Sequence, residues 1–150
     1  MKNLIDEYCL ENNVDTNRIY VYGASAGGYM TTRMAVTYPD MFAAVVPICP
    51  AIDLAAKSGG VKTSKVDLQK LKDNNIWLIH SKNDPVVNFE QTTSWIKKIL
   101  PKAELSAYDN VVVGGNYYSG HSAWIYVAKN MPINANGETL WEWTANQTLE

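Results

Sequence analysis

The chain has 150 residues, of which 47% are hydrophobic and 19% charged, a composition that favours a folded globular domain and excludes a disordered chain. Its formal net charge of −2 excludes the basic face that nucleic-acid binding requires, so we expect no nucleic-acid partner. No apolar run in the sequence is long enough to cross a bilayer, and we expect no membrane partner.

The first predicted element is a helix over residues 4–11, where apolar side chains repeat with helical spacing. Asp6 and Glu7 occupy the positions where a signal peptide would have its apolar centre. No export signal is therefore visible, and a cytoplasmic location is the default expectation. The two cysteines, Cys9 and Cys49, fit no metal-binding spacing, and free thiols are favoured over a single disulfide.

Four short apolar segments that follow this helix are predicted to be buried strands. They cover residues 19–22, 42–48, 76–80 and 104–113. Helical patterns cover residues 26–37, 67–73, 90–100 and 122–129, and a loop with one helical turn is predicted over residues 50–63. Residues 138–147 form a closing segment that contains Trp141 and Trp143. Strands that alternate with helices predict an α/β fold, in which a mostly parallel sheet of about four strands carries helices on both faces. We expect a single domain over residues 1–150.

The most informative motif is GASAG at residues 23–27, which fits G-x-S-x-G and lies between a predicted strand and a predicted helix. A serine on such a strained turn exposes its hydroxyl above the carboxyl edge of the sheet, and the flanking glycines leave room for the turn. The helix N-terminus adds positive potential beside developing negative charge. The motif therefore predicts that Ser25 is a nucleophile. A dinucleotide-binding turn would need glycine at that position, so we expect no nucleotide cofactor.

A serine nucleophile needs a base, which in turn needs an acid to orient it, and the chain contains two histidines. His121 lies in a glycine-bearing loop after the last predicted strand. His80 ends the third predicted strand and is interpreted as a histidine hydrogen-bonded to its own loop. Asp84 follows the same strand, at the carboxyl edge where active-site residues gather in α/β sheets. Asp53, after the second strand, is an alternative acid or a cap of its loop.

The segments GASAGGYM, HSKNDPVV and GHSAW occur in this order and together resemble the α/β-hydrolase superfamily. Within it the sequence is most similar to esterases related to polyhydroxybutyrate depolymerase and feruloyl esterase, which grade into prolyl-oligopeptidase-like hydrolases. The resemblance implies that Ser25 is the nucleophile, Asp84 the acid and His121 the base. It also implies that the backbone N–H of Ala26 is one donor to the oxyanion.

The function that this resemblance implies is a serine hydrolase that cleaves small-molecule carboxylic esters through an acyl-enzyme, with no metal ion and no organic cofactor. A prolyl-oligopeptidase-like peptidase and a non-catalytic fragment or binding module remain alternatives. The aromatic residues Tyr117, Tyr118 and Trp124 flank His121 in the chain. They are candidates for lining an acyl pocket, and packing in the core or at the rim is equally compatible with the sequence.

The resemblance is to the C-terminal half of the family's domain. Nothing before Gly23 resembles the strands, or the loop with the second oxyanion donor, that the family places there. The activity of this chain alone is therefore expected to be weak or absent. The strand over residues 19–22 is expected to have an uncovered edge, which a second copy of the chain, a missing N-terminal half or rearranged segments of the chain itself would cover.

Overall fold

A computed structural model describes residues 1–149, and its centre is a four-stranded sheet. The strands lie side by side in chain order: β1 (Tyr20–Ala24), β2 (Ala44–Ile48), β3 (Trp77–Ser81) and β4 (Glu104–Tyr108). Each neighbouring pair is parallel, as sheets built from strand–helix–strand crossovers require. The predicted α/β class with a parallel sheet of about four strands is confirmed.

Helices connect and follow the strands. They are α1 (Lys2–Glu11), α2 (Ala26–Thr37), α3 (Ile52–Lys57), α4 (Lys65–Gln69), α5 (Thr93–Ile99), α6 (Trp124–Ala128) and α7 (Leu140–Ala145). The helix predicted over residues 26–37 has these bounds in the structure, and the helical turn predicted within residues 50–63 is α3. None of the helices in residues 1–149 is long and apolar enough to cross a membrane.

The fourth predicted strand was drawn too long. It ends at Tyr108, and the chain then forms a separate antiparallel hairpin of β5 (Val111–Val113) and β6 (Asn116–Tyr118). The turn between β5 and β6 is Gly114-Gly115, and both glycines have a positive φ, of 58° and 80°. Two consecutive left-handed residues are what a tight hairpin turn needs, so the chain reverses there.

Apolar residues fill both faces of the sheet. On β3, Leu78 contributes to the core beneath α2, α4 and α5, while its neighbours Trp77 and Ile79 belong to the core beneath α6 and α7. This alternation follows from the two-residue period of a strand. Trp77 meets Trp143 of α7 edge to face, with ring centroids 5.3 Å apart. The prediction that helices cover both faces is confirmed.

Within residues 1–149, β1 has a strand neighbour on one side, β2, and forms the edge of the sheet. The C-terminal segment packs against its side chains. The hydroxyl of Tyr22 hydrogen-bonds with that of Thr144, and the hydroxyl of Tyr20 donates to the Gln147 carbonyl at 3.2 Å. The strand edge predicted over residues 19–22 is therefore present, and it carries the turn that leads to Ser25.

Candidate active site

Ser25 lies on the turn between β1 and α2 with φ 58° and ψ −117°, a left-handed backbone conformation that is strained for any residue except glycine. Backbone hydrogen bonds on both sides maintain this geometry. The Ser25 amide donates to the Ile48 carbonyl at 3.0 Å, and the Ser25 carbonyl accepts from the amides of Tyr29 and Ala51. The loop that follows β2 therefore holds the turn in place.

The glycines around the turn differ in what they accommodate. A Cβ atom on Gly23 would lie 2.3 Å from the carbonyl oxygen of Gly27, and one on Gly28 would lie 2.6 Å from the carbonyl oxygen of Ile48. Those distances exclude a side chain at either position. A Cβ on Gly27 would meet no atom of the described residues within 4 Å. The expectation that both motif glycines make room is therefore correct for Gly23 and wrong for Gly27, whereas Gly28 was missed.

The structure brings together the three residues that the sequence proposed as nucleophile, base and acid. The Ser25 Oγ atom lies 3.0 Å from His121 Nε2, and His121 Nδ1 lies 2.9 Å from Asp84 Oδ2. Because an ionised carboxylate only accepts hydrogen bonds, Nδ1 is the protonated nitrogen, and Nε2 is free to accept from the serine hydroxyl. His121 belongs to a one-turn 3₁₀ helix over Gly120–Ser122, and a side chain on Gly120 would collide with Asn83.

The side chain of Asp84 is fully buried and has several hydrogen-bond donors around it. Its Oδ1 atom accepts from the amides of Val86 and Val87, at 2.8 and 2.9 Å. Its Oδ2 atom accepts from His121 and, at 3.1 Å, from Nε2 of His80. Burial alone would raise the pKa of Asp84, but the hydrogen bonds from Val87, His121 and Val86 outweigh burial and hold the pKa below its ordinary value. Asp84 is thus ionised at neutral pH.

His80 is completely buried at the end of β3, and both of its ring nitrogens have partners. Nδ1 lies 2.7 Å from the hydroxyl of Thr93, and Nε2 faces Asp84. Burial lowers the pKa of His80 in spite of the opposing attraction of Asp84, so the ring is neutral at neutral pH. The prediction that His80 bonds to its own loop is correct, but its partner in that loop, Asp84, also contacts His121.

Cys49 directly follows β2 and was not predicted to belong to this site. It is buried, has a positive φ of 35°, and its Sγ atom lies 3.8 Å from the backbone carbonyl oxygen of His121. Burial raises the pKa of Cys49 to about 11, although the nearby Ser25 backbone amide favours the thiolate. Both cysteines are free thiols. The position at a strand's carboxyl end was the signal in the sequence that could have identified Cys49.

One group in residues 1–149 has metal-binding side chains close together. Single potential ligand atoms of Cys49, Asp84 and His121 lie within 4.8 Å of one another. Two of the three, Asp84 and His121, are hydrogen-bonded to each other. A metal ion takes cysteine as the thiolate, and the high pKa of Cys49 keeps it a thiol at neutral pH. The side chains present are thus better suited to proton transfer than to metal binding.

The remaining predicted site residues are Ala26 and three aromatic residues. Ala26 is the first residue of α2, where amides have no acceptor within the helix. Tyr117 and Tyr118 are on β6, and Trp124 begins α6. The three aromatic side chains are exposed, by 78%, 43% and 50% respectively. This exposure excludes packing in the core of the described residues and leaves them at the surface on either side of His121 in the chain.

Asp53 does not act in either of the two ways that the sequence allowed. It lies in the first turn of α3, whose N-cap residue is Ala51, so it is not a cap. His121 takes its carboxylate partner from Asp84, so Asp53 is not the acid. Its Oδ1 atom is buried and has no hydrogen-bond partner among the described residues. The hydrogen-bonded series of the site therefore joins the turn after β1, the His121 turn and the segment after β3, and Asp53 is not part of it.

Similarity to known proteins agrees with this fold. Residues 2–60 match the prolyl oligopeptidase family. A solved structure of a thermostable esterase superimposes on 97% of the chain, with a TM-score of 0.77 and 28% sequence identity. The chain has an α/β-hydrolase fold. An acylaminoacyl peptidase structure also shares this fold, with a TM-score of 0.60 and 20% identity over 97% of the chain.

Curated relatives of this chain include esterases. Poly(3-hydroxyalkanoate) depolymerase C of Paucimonas lemoignei is 48% identical over 48 residues, which is 32% of the chain and 12% of the depolymerase. Feruloyl esterase B of Neurospora crassa is 56% identical over 32 residues, 21% of the chain and 11% of that esterase. The chain spans 35% of the solved thermostable esterase. The predicted resemblance to the superfamily and its esterases is confirmed, over part of those proteins' length.

Proposed function

We propose that this chain contains the nucleophile, base and acid of a serine hydrolase that cleaves carboxylic esters through an acyl-enzyme. The observation that supports the proposal most is the continuous series of hydrogen bonds from Ser25 through His121 to Asp84, with distances of 3.0 and 2.9 Å. The names of the relatives, which include acetylxylan and feruloyl esterases, support carboxylic esters as the substrate class.

In the first half of the reaction, Ser25 Oγ attacks the carbonyl carbon of the ester while His121 Nε2 takes the hydroxyl proton. The ionised Asp84 keeps the imidazole in the required tautomer and stabilises the imidazolium that forms. The tetrahedral intermediate then collapses, the bond to the alcohol oxygen breaks, and the alcohol leaves with the proton from Nε2. The acyl group remains bonded to Ser25 Oγ.

In the second half, a water molecule replaces the alcohol. His121 Nε2 takes one proton from the water, the resulting hydroxide attacks the acyl carbon, and the acid is released as the proton returns to Ser25 Oγ. The amide of Ala26 is the proposed donor to the negatively charged oxygen in both halves, at the positive end of α2. All of these groups belong to the chain, so the scheme needs no metal ion and no organic cofactor.

The decisive experiment measures the intact mass of the protein after exposure to a fluorophosphonate, which phosphonylates an activated serine without requiring the natural substrate. We expect one adduct on the wild-type chain and none on Ser25→Ala or His121→Gln. Hydrolysis of p-nitrophenyl acetate should follow the same pattern. Absence of the adduct from a protein with a cooperative unfolding transition would exclude an active triad in this chain and favour a non-catalytic module.

Peptide hydrolysis is the second candidate, because residues 2–60 match the prolyl oligopeptidase family. The same three residues would cleave an amide bond, with His121 protonating the amine that leaves. Rates on a peptide p-nitroanilide and on the p-nitrophenyl ester of the same acyl group separate the two activities. We expect hydrolysis of the ester and negligible hydrolysis of the anilide, and the reverse preference would assign the chain to the peptidases.

A further inference from the structure

We propose that His80 is a positioning residue, which together with Thr93 holds the carboxylate of Asp84 in the orientation that serves His121. This inference rests on the proposed hydrolase function, because it concerns the acid of that site. It adds two residues from β3 and α5 to a hydrogen-bonded series that otherwise ends at Asp84.

The directions of the hydrogen bonds follow from what each atom can do. Asp84 Oδ2 only accepts, so His80 Nε2 must carry the proton that lies between them. His80 Nδ1 is then unprotonated and accepts from the hydroxyl of Thr93, at 2.7 Å. Asp84 thus sets the tautomer of His80, and the hydrogen bond from Thr93 to Nδ1 holds the ring in place. The same reasoning fixed the tautomer of His121, so one carboxylate oxygen orders two imidazole rings.

Two pairs of donors fix the plane of the Asp84 carboxylate. The amides of Val86 and Val87 bind Oδ1 and hold one corner of the group. The rings of His80 and His121 bind Oδ2, so donors at both oxygens oppose rotation about the Cβ–Cγ bond. Because His80 is neutral, it supplies a donor without adding a charge beside the ionised carboxylate. The negative charge of Asp84 thus remains available to the imidazolium of His121.

A packing role is the competing explanation for His80. The ring meets Phe89 edge to face, with centroids 5.5 Å apart, and none of its surface is exposed. Phenylalanine has a similar shape and would retain this packing while removing both hydrogen bonds. Glutamine places its amide nitrogen near the position of the histidine Nε2 atom and would retain the donor. The pair His80→Phe and His80→Gln therefore separates packing from hydrogen bonding.

The first readout is the rate of reaction with the fluorophosphonate and kcat for an ester. We expect His80→Phe to lower both by roughly ten- to a hundredfold, with little change in KM, because a small misplacement of the acid misorients the base. His80→Gln should recover most of the loss. Thr93→Val should lower the rates in the same direction, and Thr93→Ser, which retains the hydroxyl, is its control. Circular dichroism verifies that each variant folds.

The second readout does not depend on catalysis. It is the proton NMR titration of the His121 ring in a Ser25→Ala background, where the titratable groups facing Asp84 are His80, His121 and Cys49. A carboxylate that has lost the donor on His80 is held less well against the His121 imidazolium, so we expect the midpoint to move to lower pH in His80→Phe. In His80→Gln the midpoint of His121 should stay near the value measured in the Ser25→Ala protein that retains His80. The chain has two histidines, so in either variant the remaining histidine signal belongs to His121.

The outcomes distinguish this proposal from the proposed function. Slower reaction in His80→Phe, recovery in His80→Gln and a shifted midpoint would establish the positioning role. Equal rates and midpoints in both variants and the wild type would overturn it. Slower reaction in His80→Gln with unchanged rates and midpoint in His80→Phe would also overturn it, in favour of packing. If the wild-type chain fails to react at all, the proposed activity fails, and the midpoint of His121 alone decides the role of His80.

Discussion

The Sγ atom of Cys49 lies 3.8 Å from the backbone carbonyl oxygen of His121, so a buried thiol supports the turn that holds the proposed base. Cys49 follows β2, whereas His121 comes after the β5–β6 hairpin. Their contact joins the segment after β2, which also binds the Ser25 backbone, to the turn that contains His121. A substitution or modification of Cys49 is therefore expected to alter the position of His121 even if the sulfur makes no contact with a substrate.

Thiol chemistry tests this arrangement. At neutral pH we expect dithionitrobenzoate to modify Cys9, which is partly exposed, and to leave Cys49 unmodified in the folded protein, because Cys49 is buried and its pKa is about 11. In Cys9→Ser the reagent should react only after unfolding in guanidinium. The absorbance of the released thiolate gives the count. Fast modification of Cys49 in folded Cys9→Ser would contradict the burial described above.

Alanine substitutions at the glycines test the close contacts of the serine turn. Gly23→Ala and Gly28→Ala should destabilise the protein by about 2–3 kcal/mol or more, because each Cβ would collide with a backbone carbonyl. Gly27→Ala should be neutral or should stabilise α2 by up to about 1 kcal/mol, since alanine favours helix and nothing obstructs it. Urea unfolding measures all three. A large loss in Gly27→Ala would show that a further segment packs there.

The dependence of stability on pH should report His80. The pKa of His80 is lowered in the folded protein, whereas in the unfolded chain its pKa is near the ordinary histidine value of 6.5. Between pH 6.5 and the lower folded value, the unfolded state therefore binds more protons, and the free energy of unfolding falls as pH falls. The contribution of one group is up to about 1.4 kcal/mol per pH unit.

Urea unfolding at several pH values below 6.5 measures this slope, and His80→Phe is the control because it has no titrating group at that position. We expect the variant to lose part of the slope that the wild type shows. Identical slopes in the two proteins would mean that His80 binds its proton equally well in the folded and unfolded states, contrary to its complete burial.

We expect the uncovered edge of β1 to be covered in the functional protein by a second copy of the chain or by an N-terminal segment that supplies neighbouring strands. Sedimentation velocity over a wide range of concentrations should show association of the chain alone. Hydrogen exchange should show slower exchange of the β1 amides as association increases. A monomer at every concentration, with rapid exchange at β1, would contradict the prediction of a second copy.

Much of the fold followed from local patterns in the sequence. The helix at residues 26–37 was predicted with the bounds it has, because the serine motif marks its start and Tyr38-Pro39 its end. The fourth strand was drawn too long, because Val111 to Val113 reads as a continuation of β4 until the pairing with β6 is known. Strand pairing is a long-range property, and the local alternation of residues does not determine it.

The site likewise contains residues that local motifs predict and residues that only long-range contacts reveal. Ser25, Asp84 and His121 were predicted from motifs whose residues are close in sequence to strand ends. The contribution of Gly28 was missed because it depends on the approach of the β2 loop, and that of Cys49 because it depends on the position of the His121 loop. His80 was interpreted from its own loop alone. Each omission concerns a contact between segments distant in sequence, which a motif does not contain.

The hydrogen bond between Ser25 and His121 joins residues that are 96 positions apart and follow different strands. Asp84, which holds His121, follows β3, and β2 lies between β1 and β3. The reactivity of Ser25 Oγ therefore reports whether these three strands have assembled in their native register. During refolding, helices can form within microseconds, whereas pairing of distant parallel strands is slow. The time at which Ser25 begins to react with a fluorophosphonate would therefore mark the completion of the sheet. A chain trapped with native helices and a shifted strand would not react.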